Sequence, residues 1–230
     1  MKLPKETSSS QQHGRWYGDA CGTAFAMELI GERWSLLIVR ELMFGGRRFS
    51  DIRANLPGIS AKVLTERLES LEQSGVLVRR RLPPPVSAQV YELTTFGYAA
   101  EPLIQEAGRW AAQSSAHDPT LPLSAASLML SMRTMVDRSM LPGLRGRVGF
   151  VIGEERFVAE PGHDGLPIRR GDVQGADAVF RTNDAAIIAG GIYAGVPWAD
   201  LEREAGLVIE GDRDLAMRYV AIFGLPPPLT

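Results

Sequence analysis

The 230-residue sequence predicts two domains of different class, a mainly α region closed by a β-hairpin and then an α+β region. Two observations carry that division. Up to about residue 113, leucine-rich segments at helical spacing dominate, and only "VLVRRRL" and "AQVYELT" have the β-branched and aromatic character of strands. Beyond the loop-forming "SSAHDPTLPLS", short β-branched runs alternate with helical ones. The expected segments are a loose polar arm over 1–18, a first domain over 19–115, a linker over 116–123, a second domain over 124–225 and a tail over 226–230.

A first helix is expected from Asp19 to Ile30, with Asp19 as N-cap and Ala24, Met27, Leu29 and Ile30 as apolar contacts. Gly31 interrupts it, and "RWSLLIVRELMFG" supplies a second helix that stops at Gly45-Gly46. "RRFSDIRANLPG" reads as a short helix starting near Phe49 or Ser50 and closed by Pro57-Gly58. Ser60 then caps a helix whose Leu64, Leu68 and Leu71 share one face, and Gly75 ends it. The two strands flank "PPPVS", which must be a loop because proline donates no ladder hydrogen bond. Thr94 or Thr95 caps a long helix through Trp110 to about Gln113. In the second region a helix is expected from Ala125 to Leu141, carrying Met129, Met132, Met135 and Met140. The strands expected there are "RVGFVIG", "RFVAEPG", "ADAVFRT" and "GLVIEG"; the helices are "DAAIIAGGIYAG", "PWADLERE" and "DRDLAMRYVAIFG".

A helix, a tight turn, a second helix and a two-stranded wing make a winged helix-turn-helix. Its second helix is narrow enough for the major groove, and the wing reaches the flanking backbone. If the leucines after Ser60 pack inward, Ala61, Lys62 and Thr65 lie outside: a methyl, an amine and a hydroxyl for base edges and phosphates. Ser60 opens the helix, where free amides favour phosphate. The formal net charge of the chain is −2, yet Arg47 to Arg81 holds 8 basic and 4 acidic residues. That local excess suits a polyanion. Strand alternation forbids Arg79, Arg80 and Arg81 from all facing one way; Arg79 and Arg81 are expected toward phosphate or the loop, and Arg80 toward Glu69 and Glu72. A winged helix used only for protein contacts is the competing reading.

With those residues in place, the string from Cys21 to Trp110 resembles the HxlR-type winged-helix transcriptional regulators, relatives of the MarR group. The landmarks are "CGTAFAMELIGERWSLLIVRELMFGGRRFSDIRANLPGISAKVLTERLESLEQSGVLVRRR", then "VYELTTFG", then "GRW". The resemblance implies a homodimer, joined through the first and last helices of this domain, that sets two recognition helices on a palindromic operator. It implies DNA contacts at Ser60, Lys62, Thr65 and Arg67, with Arg47 and Arg48 on phosphates. Arg67 has an equal alternative, bracing the domain through Glu41. It also places Cys21 where several members carry a redox- or electrophile-sensing cysteine. From the residues alone, a small buried hydrophobe is the favoured role for Cys21.

The phrases "DAVFRTNDAAIIAGGIYAG" and "GLVIEGDRDLAMRYVAIFGL" resemble the sterol-carrier-protein-like domain, which sets helices against a mostly antiparallel sheet around an apolar cavity. That likeness implies a small hydrophobic ligand, with Met129, Met132, Met135, Ile187, Ile188, Ile192, Tyr193 and Trp198 as candidate walls. Plain core or dimerisation is the alternative for the methionine stripe. Gly190-Gly191 fits close helix packing and is too short for a dinucleotide fingerprint.

Other classes find little support. The N-terminus lacks the apolar core of a secretory signal, and no apolar run approaches the roughly 18 residues of a membrane span. One cysteine permits no intrachain disulfide, so a reducing, cytoplasmic setting is expected. His13, His117 and His163 lack zinc-ligand spacing, and "WADLEREAGLVIEGDRD" lacks calcium-loop spacing. There is no phosphate loop and no nucleophile elbow, so neither enzyme nor cofactor is expected. The reading is a regulator, more often a repressor in this setting, controlled by an apolar ligand. Its alternatives are a Cys21 redox sensor and a lipid carrier that uses the winged helix only to dimerise.

Overall fold

The computed structural model describes residues 17–83, 87–162 and 165–229. The polar arm through residue 16 with His13, the hairpin tip at 84–86, His163 and Thr230 lie outside them. The N-terminal half runs α1 (Gly22–Ile30), α2 (Ser35–Leu42), α3 (Phe49–Asn55), α4 (Ala61–Gln73), β1 (Leu77–Arg81), β2 (Gln89–Leu93), α5 (Thr95–Tyr98) and α6 (Glu101–Ala111). The α1 helix starts later than its sequence suggests. Cys21 occupies the N-cap, while Asp19 Oδ1 accepts from the Cys21 amide at 2.9 Å.

Trp34 does not continue a helix. It takes φ 81°, a left-handed conformation rare for a bulky side chain, and precedes α2 as its N-cap. A Cβ on Gly58, itself at φ 92°, would stand 3.8 Å from the Trp34 ring, so that turn and the indole pack together. The expected long helix after Thr94 is two helices. Pro102 lacks an amide hydrogen and restricts the residue before it, so α5 ends and α6 restarts around it.

The C-terminal half runs α7 (Ala125–Met135), a 3-10 helix (Arg138–Gly143), β3 (Val148–Ile152), β4 (Glu155–Ala159), β5 (Ile168–Arg170), β6 (Ala178–Thr182), α8 (Ala185–Tyr193), α9 (Trp198–Glu204), β7 (Val208–Gly211) and α10 (Arg213–Val220). The helix expected to reach Leu141 stops at Met135, where Val136 is extended and bridges Phe223. Met140 therefore lies in the 3-10 turn and is exposed. The sheet order is β5-β4-β3-β6-β7, with one parallel pair, β3–β6, and antiparallel pairs elsewhere. The short edge strand β5 carries only "IRR", too little for a hydrophobic pattern to announce it.

Register aligns one row of rings: Phe150 pairs with Phe157 on one side and Phe180 on the other. Phe150 stacks on Phe180 at 5.4 Å, and Tyr219 of α10 closes over Phe150 at 5.8 Å. Trp198 sits 5.7 Å from Phe180, and a Cβ on Gly191 would strike its ring at 2.7 Å, so glycine permits that approach. These four aromatic side chains, Phe150, Phe157, Phe180 and Tyr219, are wholly buried; they fill the layer between sheet and helices.

The two halves share one continuous core. The α7 helix is the joint, packing against α6, α2 and α8. Its cap Ser124 accepts from the Ser127 amide and donates to the buried Glu41 of α2 at 2.7 Å. Arg133 of α7 holds Glu101 of α6 at 2.8 Å and lies over the Phe44 ring at 4.6 Å. Phe44 meets Phe157 edge-on at 5.4 Å. Glu155 of β4 receives Arg47 from the first half and Arg170 from the second, the latter at 2.6 Å.

These part-buried ions are costly to leave unmatched. Glu155→Ala leaves Arg47 and Arg170 facing each other, and urea unfolding is expected to show a loss of roughly 1–3 kcal/mol. A stability change near zero would mean that this pair does not join the halves.

Candidate nucleic-acid interface

The exposed edge of α4 is set by its buried one. Leu64, Leu68 and Leu71 are 0% exposed, at the spacing that stacks on one helical face. The opposite face at the helix start is left to Ala61, Lys62 and Thr65, all exposed. Ser60 Oγ accepts from the Val63 amide at 3.2 Å, a cap worth about 1 kcal/mol. Thr65 Oγ1 donates back to the Ala61 carbonyl at 3.0 Å, and its lone pairs remain able to accept. Lys62 is 87% exposed and only 3.9 Å from Glu66, a loose pair that leaves the ammonium available.

The remaining expected contacts divide. Arg48 is exposed at the start of α3, where Asp51 Oδ2 accepts from its amide at 3.4 Å, and its guanidinium has no ion pair among the described residues. Arg81 is also exposed and without an ion pair among the described residues. Arg53, which the sequence reading did not single out, shares those properties near the end of α3. Its signal was one more arginine inside the basic stretch.

Arg47 is placed differently from its expected phosphate role. It is half-buried and engaged by Glu155, because residues 47 and 91 bridge as strand partners and direct it toward the C-terminal half. Arg67 takes the bracing role, but through Glu32 at 3.2 Å rather than through Glu41. Glu41 belongs to Arg40 at 2.8 Å and Ser124.

Of the wing arginines, Arg81 is exposed as expected, while Arg79 and Arg80 are placed otherwise. Arg79 meets Glu72 at 2.8 Å and Glu69 at 3.9 Å, while Arg80 pairs with Glu92 across the hairpin at 3.0 Å. Leu77 explains it: this side chain is buried toward α4, and a period of two puts Arg79 on the same face. Arg79 also lies 5.7 Å from the Tyr91 ring.

Cys21 is exposed, so its expected role as a buried hydrophobe is overturned. Cys21 stands at the N-cap of α1, at the exposed start of the helix. The amides of Ala24 and Thr23, with the Thr23 hydroxyl, favour the thiolate and hold its pKa below that of an ordinary thiol.

Of the residues expected to line an apolar cavity, Met129, Met132 and Ile188 are fully buried in the core. Ile187, Ile192 and Trp198 pack partly buried against that core. Only Met135 and Tyr193 reach a mainly apolar cavity, which lies at the junction with α2 and α6 instead. Because the rings of Phe150, Phe180 and Tyr219 fill the layer beneath the sheet, the free space is displaced to the joint.

Among the described residues no group of three or more His, Cys, Asp or Glu side chains is arranged to hold a metal. Among the same residues no helix is long and apolar enough to cross a membrane.

Residues 29–119 match the family model described as HxlR-like helix-turn-helix. The HTH-type transcriptional regulator YvaP of Bacillus subtilis (strain 168) is 41% identical over 88 residues, covering 38% of this chain and 82% of that protein. The HTH-type transcriptional regulator YodB of the same organism is 42% identical over 88 residues, covering 38% and 79%. A solved structure of the reduced form of YodB from B. subtilis has 39% identity over 43% of this chain and 98% of its own, with a TM-score of 0.39. All three likenesses fall on the N-terminal half.

The Cys21 geometry gives a pH dependence. Iodoacetamide reacts with thiolate, so a lowered pKa shifts the midpoint of the rate–pH curve below that of free cysteine. Thr23→Val is expected to move the midpoint back up, read by mass spectrometry of the alkylated peptide. A midpoint at or above that of free cysteine would contradict the assignment.

Proposed function

Because the chain belongs to the HxlR-like helix-turn-helix family of transcriptional regulators, we propose that it is a homodimeric, sequence-specific repressor that sets two copies of α4 on a palindromic operator. The observation that carries this reading is the outward placement of Lys62 and Thr65 over a fully buried leucine face. Lys62 and Thr65 then meet base edges, with Ala61 against a thymine methyl and the Ser60 end of the helix against phosphate. Arg48, Arg53 and Arg81 flank that edge as free cations for the backbone. Arg67 acts by fixing α4 against the α1–α2 turn through Glu32.

Dimerisation through α1 and α6 is supported by exposed apolar side chains on both helices. Met27 of α1 is 41% exposed, and Leu103 and Trp110 of α6 are 42% and 74% exposed. Isolated exposed apolar groups are ordinary, but a set on the two helices the resemblance assigns to the interface has a use. The cytoplasm is the fitting compartment for such a regulator.

The C-terminal half, with its helices against a mostly antiparallel sheet, fits a sterol-carrier-like module that receives an apolar effector. Control by that effector requires different affinities for DNA-competent and DNA-incompetent arrangements. A second reading, redox or electrophile sensing, is favoured by the exposed, thiolate-prone Cys21 at the α1 N-terminus, close to the proposed subunit contact.

The test is selection of fragments from a random duplex pool, then titration of wild type and of Lys62→Ala combined with Thr65→Ala. Two lost base contacts are expected to lower specific affinity by roughly 30- to 1,000-fold while circular dichroism and dimer mass stay unchanged. Arg81→Ala should instead weaken all sequences alike and flatten the salt dependence by about one unit of slope. A lipid carrier would select no sequence, and unchanged affinity in the double variant would remove α4 as the reader.

A further inference from the structure

A mostly apolar cavity of about 570 Å³ opens between the two halves of the chain. Ile104 and Gly108 of α6 form one wall, Leu130 and Ser131 of α7 another, and Tyr193 of α8 the floor, with Leu121 of the connecting segment at the rim. Its size falls in the range of small-molecule sites, and it lies where such sites concentrate, between domains.

The cavity has a polar end. Ser131 Oγ and Tyr193 Oη stand 2.9 Å apart and share one hydrogen bond. Each hydroxyl carries a proton, and one bond uses one proton, so an O–H remains to donate. Burial pushes the Tyr193 phenol well above its ordinary range, which keeps it a neutral donor. Arg40, the guanidinium at the rim, already spends two hydrogen bonds on Glu41, at 2.8 and 3.0 Å. An anionic ligand would therefore find that cation neutralised.

We propose that this junction cavity binds a neutral, mostly hydrocarbon molecule whose carbonyl-type oxygen accepts from the Ser131–Tyr193 pair. The hydrocarbon lies along Ile104 and Leu130, filling space that a glycine at 108 leaves open. A Cβ there meets nothing within 4 Å. For its regulatory consequence this rests on the repressor reading. The same cavity is walled by α2 and α6, and α2 packs directly on α4, so a ligand that shifts the joint shifts the recognition helix.

The test uses the full chain and Nile red, a neutral apolar dye with a carbonyl oxygen. Saturable binding at one dye per chain is expected. Gly108→Leu, which fills the cavity with a residue that favours helix, is expected to weaken binding at least tenfold. Ser131→Ala combined with Tyr193→Phe removes both donor hydroxyls and is expected to weaken it about 3- to 10-fold; it decides the matter should the first variant fail to fold. Absence of saturable binding, or unchanged affinity in a folded Gly108→Leu or in the Ser131→Ala, Tyr193→Phe double variant, overturns the proposal. Loss of the dimer in Gly108→Leu, seen by sedimentation velocity, marks the groove as a subunit contact and also overturns it. If dye binding behaves as stated while the wild-type chain selects no DNA sequence, the cavity stands and the repressor reading fails.

Discussion

Burial of Leu64, Leu68 and Leu71 is the constraint on which the rest depends. Once three leucines at intervals of four and three residues must leave water, the rotation of α4 about its axis is fixed. The polar edge at Lys62 and Thr65 is a consequence of that rotation, and the Ser60 cap fixes where the edge begins. Removing one such leucine typically costs 2–5 kcal/mol, more than any of the surface ion pairs contributes, so packing rather than charge orients the helix.

The second constraint is that the halves are not beads on a string. The C-terminal half seats α7 against α2 and α6, and its Glu155 takes the arginine that would otherwise stand beside α3 as a free cation. Several arginines of the basic stretch are thus internal braces: Arg47 to Glu155, Arg67 to Glu32, Arg79 to Glu72. The free positive charge is narrower than the sequence count implies, concentrated on Lys62, Arg48, Arg53 and Arg81. A modest charge placed correctly suffices when geometry supplies the register.

Local rules made much of this legible. Leucine periodicity, Ser60, Pro57-Gly58 and the β-branched hairpin strands locate the helix-turn-helix and its wing in the sequence itself. What local rules missed was set by distant partners. The wing parity followed from Leu77 packing on α4, the role of Arg47 from a glutamate 108 positions away, and the end of α7 from a bridge between Val136 and Phe223. The methionines of α7 looked the same in sequence whether they lined a cavity or filled a core. Phenylalanines from three strands decided that most of them fill it. Cys21 was misjudged because a lone cysteine is usually buried, and nothing in its neighbours announced a helix that begins in solvent.

The central claim is that the N-terminal edge of α4 is the surface that meets a duplex. Hydrogen–deuterium exchange of the full chain, with and without a selected operator fragment, tests it most directly. The account predicts new protection over residues 60–66 and around Arg81, with the leucine face already slow in the free protein. Protection confined to the C-terminal half, or none at residues 60–66 under saturating DNA, would contradict it.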